Sequence, residues 1–197
     1  MAKLYFYYAA MNAGKSTLLL QASYNYEERG MKTLLFSPAI DTRKKGHILS
    51  RIGLEASSIS FAAYENLFHI AQQAQTNTAA LSCILVDEAQ FLTKKQVLEL
   101  TRVVDELAIP VLTYGLRSDF RGETFTGSLY LLIYADELCE IKTICHCGRK
   151  ATMNMRIDSA QRQVTEGQQV EIGGNERYLA VCRNHFKLGD SGSHANR

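Results

Sequence analysis

Short apolar runs alternate with amphipathic stretches along most of this chain. Leu4-Tyr5-Phe6-Tyr7-Tyr8 is apolar and aromatic throughout and reads as a buried strand. Ser16 to Arg29 has a helical pattern opened by Leu18-Leu19-Leu20, and Gly30 suits its end. Thr33 to Ser37 is a short apolar strand stopped by Pro38. Residues 41–58 are polar and weakly periodic, which predicts a mobile loop. Ile59 to Phe61 reads as another short strand. Glu65 to Gln75 reads as a helix with Leu67, Ile70, Ala71 and Ala74 on one side. Cys83-Ile84-Leu85-Val86 is continuously apolar, as a central parallel strand should be. Thr93 is a suitable cap for a helix running to Leu107, with Val97, Leu98, Leu100, Val103, Val104 and Leu107 fitting the helical period. Pro110 to Gly115 returns as a strand. Strands alternating with helices predict an α/β fold around a parallel sheet.

The pattern changes near residue 144. The stretch that follows is rich in Gly, Gln and Arg, with β-like pieces at Met153–Ile157 and Tyr178–Val181. The chain therefore divides into an α/β unit over 1–144, a small second domain over 145–188, and a tail over 189–197. That tail has little to bury and is expected to be disordered. No internal repeat is visible.

Length and charge narrow the functional classes. A chain of 197 residues makes one domain plus a small appendage, and 46% hydrophobic residues can form a real core. No 18 consecutive apolar residues occur, so no membrane span is expected. The N-terminus lacks the zones of a signal peptide, which predicts a cytoplasmic protein. With 22 basic and 20 acidic residues there is no electrostatic footprint for nucleic acid. Arg43-Lys44-Lys45 reads as a solvated loop. Five cysteines, an odd number in a reducing compartment, point to metal binding rather than disulfides.

The first strand runs into Ala9-Ala10-Met11-Asn12-Ala13-Gly14-Lys15-Ser16-Thr17. A strand, a short loop ending in Gly-Lys-Ser and a helix form the layout of a phosphate-binding loop. Backbone N–H groups there make an anion nest, and the helix N-terminus adds its dipole. Lys15 would reach the β- and γ-phosphates, and the Ser16 hydroxyl would hold Mg²⁺. The pattern asks for Gly where this chain has Ala9, which fits only if φ there is negative. The bland alternative is a chance Gly-Lys-Ser at a helix start.

Asp87-Glu88 closes the apolar run that ends at Val86. Ligands collect at the carboxyl ends of strands in open α/β sheets. An Asp there can serve Mg²⁺, and Glu88 can act as general base. The alternative is a carboxylate pair stabilised by a helix dipole.

Cys145-His146-Cys147 and Cys182-Arg183-Asn184-His185 supply two short ligand pairs. Cys145, Cys147, Cys182 and His185 suit one tetrahedral, structural Zn²⁺ with no open position. His146 reads as a surface turn residue. Cys83 and Cys139 read as ordinary core residues. His47, His69 and His194 have no partner visible in sequence.

Four segments together resemble the cellular-type thymidine kinases, above all enterobacterial members. They are Met11–Thr17, Asp87-Glu88-Ala89-Gln90-Phe91, Gly115-Leu116-Arg117-Ser118-Asp119-Phe120-Arg121-Gly122, and Gly174–Phe186. The resemblance covers nearly the whole chain. It implies a P-loop NTPase-like (RecA-like) core with a small C-terminal zinc-binding lasso domain. It also implies transfer of the ATP γ-phosphoryl group to the thymidine 5′-hydroxyl, with Mg²⁺ accompanying ATP. A homotetramer and feedback inhibition by dTTP are implied too. Matched residue by residue, Glu88 is the catalytic base. Ala9, Ala10, Met11, Asn12, Ala13, Gly14, Lys15 and Ser16 are the phosphate loop. Asp41, Thr42 and Arg43, with Asp87, Glu88, Ala89 and Gln90, belong to the ATP site. Met11, Phe91, Leu116, Phe120 and Phe125 wall the base pocket, and Val170, Glu171, Ile172, Gly173 and Tyr178 form the lasso. Cys145, Cys147, Cys182 and His185 are the zinc ligands. Without the resemblance, Gly173-Gly174 reads as a hairpin turn. The rival readings are a P-loop ATPase or motor with a zinc appendage, and a nucleic-acid-binding zinc knuckle; neither charge nor an arginine-finger pattern favours them.

Overall fold

A computed structural model describes residues 1–40, 45–77, 81–170 and 177–192. A six-stranded parallel sheet forms its centre, in the order β5-β2-β6-β7-β1-β8. These strands are β1 (Leu4–Ala9), β2 (Lys32–Pro38), β5 (Ile59–Phe61), β6 (Leu81–Val86), β7 (Val111–Leu116) and β8 (Glu137–Glu140). Both faces are covered, so the inner strands are mostly apolar, and the buried Thr113 of β7 satisfies its hydroxyl on the Tyr5 carbonyl at 2.7 Å. On one face α2 (Leu67–Asn77), α3 (Lys94–Leu107) and α4 (Thr126–Tyr134) pack around Phe6, Phe36, Ile84 and Leu100. On the other, α1 (Lys15–Glu27) packs Leu19 and Leu20 against Leu35, Leu85 and Tyr114. The α/β expectation is met.

The local signals for helix ends behave as chemistry requires. Thr93 and Gln96 form a reciprocal capping box at the start of α3. The second helix begins two residues later than its apolar period suggests, because Asn66 Oδ1 accepts the His69 N–H at 2.9 Å and caps it there.

Two expectations are corrected. The described part of the polar stretch 41–58 is no mobile loop: β3 (His47–Leu49) and β4 (Glu55–Ser57) pair antiparallel. Three-residue strands are too short to show a period, but Ile48 is buried against α1. Cys139 is not a core residue; it lies half-buried on the edge strand β8. Two elements also lie where the pattern predicts none. Helix α4 is apolar on nearly every side, so no helical stripe marks it, and β8 follows after two residues.

Beyond β8 the chain forms small antiparallel sheets: β9 (Thr143–Ile144) with β10 (Lys150–Ala151), and β11 (Met153–Ile157) between β12 (Gln163–Val164) and β13 (Tyr178–Val181). Their core is Met155, Ile157, Val181 and two of the cysteines. Helix α5 (Arg183–Leu188) ends on Gly189 at φ 67°. Residues Gly189 to Gly192, expected in a disordered tail, are part of the described structure, and the Asp190 N–H donates to the His185 carbonyl at 3.0 Å. His194 lies outside the described residues. No described helix is long and apolar enough to cross a membrane.

Candidate active site and metal centre

At the carboxyl edge of the sheet, β1 ends at Ala9 and the loop Ala10–Gly14 leads into α1. Gly14 takes φ 80° and Asn12 φ 62°, so two residues of the loop are left-handed. Ala9 is not among the positive-φ residues, which removes the objection to Ala in place of Gly. Lys15 is buried and its Nζ lies 3.4 Å from the Ala10 carbonyl, folded back across the loop mouth.

Strand β6 delivers Asp87 beside the first turn of α1. Ser16 Oγ donates to Asp87 Oδ2 at 2.9 Å. Asp87 is 2% exposed, and its Oδ1 is buried without a hydrogen-bond partner among the described residues. Burial, with the neighbouring Glu88 charge adding to it, pushes the Asp87 carboxyl up to about 7. A buried hydroxyl–carboxylate pair with an orphaned acceptor is a suitable donor set for a hydrated Mg²⁺.

Glu88 follows in the left-handed region at φ 47°, ψ 43°, unusual for a residue with a Cβ. The chain then makes a short 3₁₀ turn over Ala89–Phe91. Gln90 fixes this corner: its Nε2 donates to Glu88 Oε2 at 2.6 Å, and its Oε1 accepts the Leu116 N–H at 3.0 Å. Gly127 lets α4 come close. A Cβ there would collide with the Ala89 carbonyl and lie 2.8 Å from that of Gln90.

These groups border one cavity of about 570 Å³. The residues Met11 to Ser16, Glu88 and Gln90 line it. So do the expected nucleoside contacts Met11, Phe91, Leu116, Phe120, Phe125, Val170 and Tyr178. Phe91 meets Phe125 edge-on at 6.0 Å, and Phe120 meets Tyr178 at 6.4 Å, giving an aromatic wall. Ala9, Ala10, Asp87 and Ala89 lie behind the lining, buried. Asp41, Thr42, Arg43, Glu171, Ile172 and Gly173 lie outside the described residues.

Sequence reasoning missed several lining residues. Asn154 is buried on β11; its Oδ1 accepts the Met11 N–H at 2.7 Å and its Nδ2 donates to the Ser118 carbonyl at 2.6 Å. It thereby ties the phosphate loop to the C-terminal sheet. A lone amide between two methionines in a strand was its only signal. Gln169 Nε2 donates to the buried Asp119 Oδ2 at 3.0 Å. Ser50, Arg51 and Ile52 enter from the turn of the β3–β4 hairpin.

The cysteine and histidine pairs converge some way along the chain. One ligand atom each from Cys145, Cys147, Cys182 and His185 lies within 4.8 Å of the others. The Cys147 and Cys182 sulfurs are 4.0 Å apart, and Cys145 Sγ is 3.3 Å from His185 Nδ1. Tetrahedral zinc with bonds of ~2.3 Å to sulfur and ~2.0 Å to nitrogen wants ligand spacings of about 3.5–3.8 Å. The four can therefore hold such an ion. The His185 backbone N–H, at the start of α5, draws the Cys182 thiol below its ordinary range and favours thiolate. His146 is more than a turn residue: its ring stacks on His185 at 4.3 Å, and His146, His185 and Asp190 form a second cluster.

Comparison with known proteins agrees with this geometry. The family model "Thymidine kinase" matches residues 2–186. A thymidine kinase of Legionella pneumophila (strain Lens) is 64% identical over 193 residues, covering 98% of this chain and 92% of that protein. One of Zymomonas mobilis is 63% identical, covering 94% and 96%. One of Escherichia coli O157:H7 is 58% identical, covering 95% and 91%. With a nucleotide-type loop, an acidic corner and an aromatic cavity on one sheet edge, and with relatives this similar over nearly their full length, the chain belongs to the thymidine kinase family.

Proposed function

We propose that this chain phosphorylates thymidine at its 5′-hydroxyl with the γ-phosphoryl group of ATP, giving dTMP and ADP. The observation that carries this reading is the single cavity in which Lys15 and Ser16, Glu88, and the Phe91–Phe125 and Phe120–Tyr178 walls all meet.

The triphosphate lies in the loop Ala9–Ser16, with its anionic oxygens on the backbone N–H groups and Lys15. Ser16 and Asp87 would hold Mg²⁺, which supplies charge neutralisation for the β- and γ-phosphates. Asp41, Thr42 and Arg43 join this half of the site, as the family resemblance implies. Thymine rests among Met11, Phe91, Leu116, Phe120 and Phe125, with Val170, Glu171, Ile172, Gly173 and Tyr178 closing on it. The sugar 5′-oxygen attacks the γ-phosphorus, and the bond from that phosphorus to the β,γ-bridging oxygen breaks. Glu88 takes the hydroxyl proton. A carboxylate suffices as acceptor, because a loose transition state needs little prior deprotonation. The αL backbone and the Gln90 amide hold that carboxylate toward the cavity.

Zinc bound by Cys145, Cys147, Cys182 and His185 is structural in this reading. Residues 1–144 then form the ATP-binding unit and 145–188 the lasso unit. The dTTP molecule carries thymine and a triphosphate together, so it can occupy both halves of the cavity and act as feedback inhibitor. The exposed apolar side chains Leu129, Ile133, Tyr134 and Leu138 support a homo-oligomer, with a tetramer the state proposed. Five free cysteines fit a cytoplasmic setting.

The test is product stoichiometry with γ-labelled ATP, thymidine and a no-acceptor control. One labelled dTMP per ADP is expected. ADP formed without labelled nucleotide contradicts the reading and favours an ATPase.

A further inference from the structure

The β3–β4 hairpin is a fixed arm. Ile48 is 2% exposed and packs with Leu19 and Leu20 of α1, the helix that opens on the phosphate loop. The turn that joins the strands is internally bonded. The Leu54 N–H donates to Ser50 Oγ at 2.8 Å, the Ser50 N–H donates to the Leu54 carbonyl at 2.8 Å, and Gly53 takes φ 88°. The turn therefore has a defined shape, and it brings Arg51 to the cavity that holds Lys15 and Glu88.

The charges in that cavity are few. Among the described lining residues, Lys15 and Arg51 are the cations, and Glu88 and Asp119 the anions. Arg51 makes no hydrogen bond or ion pair with any described residue, whereas Arg102, Arg121 and Arg162 are each paired to a carboxylate. In phosphoryl transfer, charge spreads over three equatorial oxygens, and the protein's main task is to neutralise it. Among the described lining residues Lys15 is the one other cation for a triphosphate facing two carboxylates, beside the Mg²⁺ and Arg43 proposed for that half of the site. A guanidinium, always charged and forked, suits two phosphoryl oxygens at once.

We infer that Arg51 is a further catalytic residue, which stabilises charge on the γ-phosphoryl group as it passes from the bridging oxygen to the sugar 5′-oxygen. This inference rests on the phosphotransfer reading above. It makes the hairpin an arm supplied in cis, anchored to the helix that carries the phosphate loop.

The test compares wild type, Arg51→Ala and Arg51→Lys in single-turnover transfer from saturating Mg-ATP to thymidine. Melting temperature and thymidine affinity serve as controls. Loss of one donor to the transferring phosphoryl group predicts a transfer rate about 10²–10³-fold lower in Arg51→Ala. Most of that loss should persist in Arg51→Lys, because an ammonium lacks the fork. Thymidine affinity and melting temperature should stay near wild type, since the side chain is exposed. Added guanidinium at millimolar concentration should restore part of the Arg51→Ala rate, which a purely structural role would not allow. A transfer rate in Arg51→Ala close to wild type overturns the inference. So does a defect confined to the ATP KM. A wild type that transfers nothing overturns the underlying phosphotransfer reading as well.

Discussion

The Gln90 amide donates to the Glu88 carboxylate at 2.6 Å while accepting the Leu116 N–H at 3.0 Å. One side chain thus links the acid at the end of β6 to the end of β7. Gln90 is buried, so neither bond competes with bulk water. Gln90→Leu removes both. A carboxylate displaced by about 1 Å from a reacting hydroxyl can cost up to about 100-fold in rate. We expect kcat to fall at least tenfold, with ATP binding retained. Steady-state kinetics beside nucleotide titration will check this, and an unchanged kcat would remove the positioning role.

Asp87 gives a prediction about pH. Its carboxyl is raised by burial to about 7, against about 3.9 in an unfolded chain. Between those values the folded protein holds a proton that the unfolded chain has released. Stability from this group is therefore greatest at low pH and falls as pH rises toward 7. Asp87→Asn cannot carry the charge. Without nucleotide or Mg²⁺, the variant should melt higher than wild type at pH 8 and nearly level with it near pH 4.5. Its turnover should be largely lost. Equal melting curves at pH 8 would show that the buried charge carries no penalty.

Gly127 is a packing requirement of the acidic corner. A Cβ would strike the Ala89 carbonyl, which is backbone and cannot rotate away. Gly127→Ala should lower stability by about 1–3 kcal/mol, as overpacking does. It should also reduce turnover, because relief requires the 88–91 turn to shift. Denaturant unfolding and kinetics on one preparation will show whether both change. Wild-type values in both would mean α4 adjusts freely.

What could be read in advance follows the physics of each signal. The phosphate loop, Asp87-Glu88 and the paired cysteines are local: their meaning lies in residue types a few positions apart. The central strands β1, β2, β6 and β7 were legible because strands covered on both faces carry near-continuous apolar runs, such as Cys83-Ile84-Leu85-Val86. Helix α4 was not, since a helix apolar on nearly all sides carries no period. The β3–β4 hairpin was missed because three residues cannot show alternation. Asn154 and Arg51 reach the cavity only through tertiary packing, from β11 and from a turn. No spacing along the chain connects either of them to Gly14-Lys15-Ser16.

The metal centre predicts an order of failure. Asn154 and Val170, from the C-terminal segment, line the cavity beside Tyr178, which precedes Cys182 on the same strand and turn. Metal analysis should give about one zinc per chain. Graded chelation should raise the thymidine KM before it affects ATP. A rise in the ATP KM first would undo the proposed coupling of the centre to the nucleoside side, and a metal-free, fully active preparation would remove the centre's role.

The most direct measurement is the single-turnover rate of Glu88→Gln with saturating Mg-ATP and thymidine, run beside wild type. Loss of a general base predicts a fall of about 10²–10⁴-fold with nucleotide affinity unchanged. Transfer to thymidine at the wild-type rate would contradict the assignment of Glu88 as the group that receives the proton.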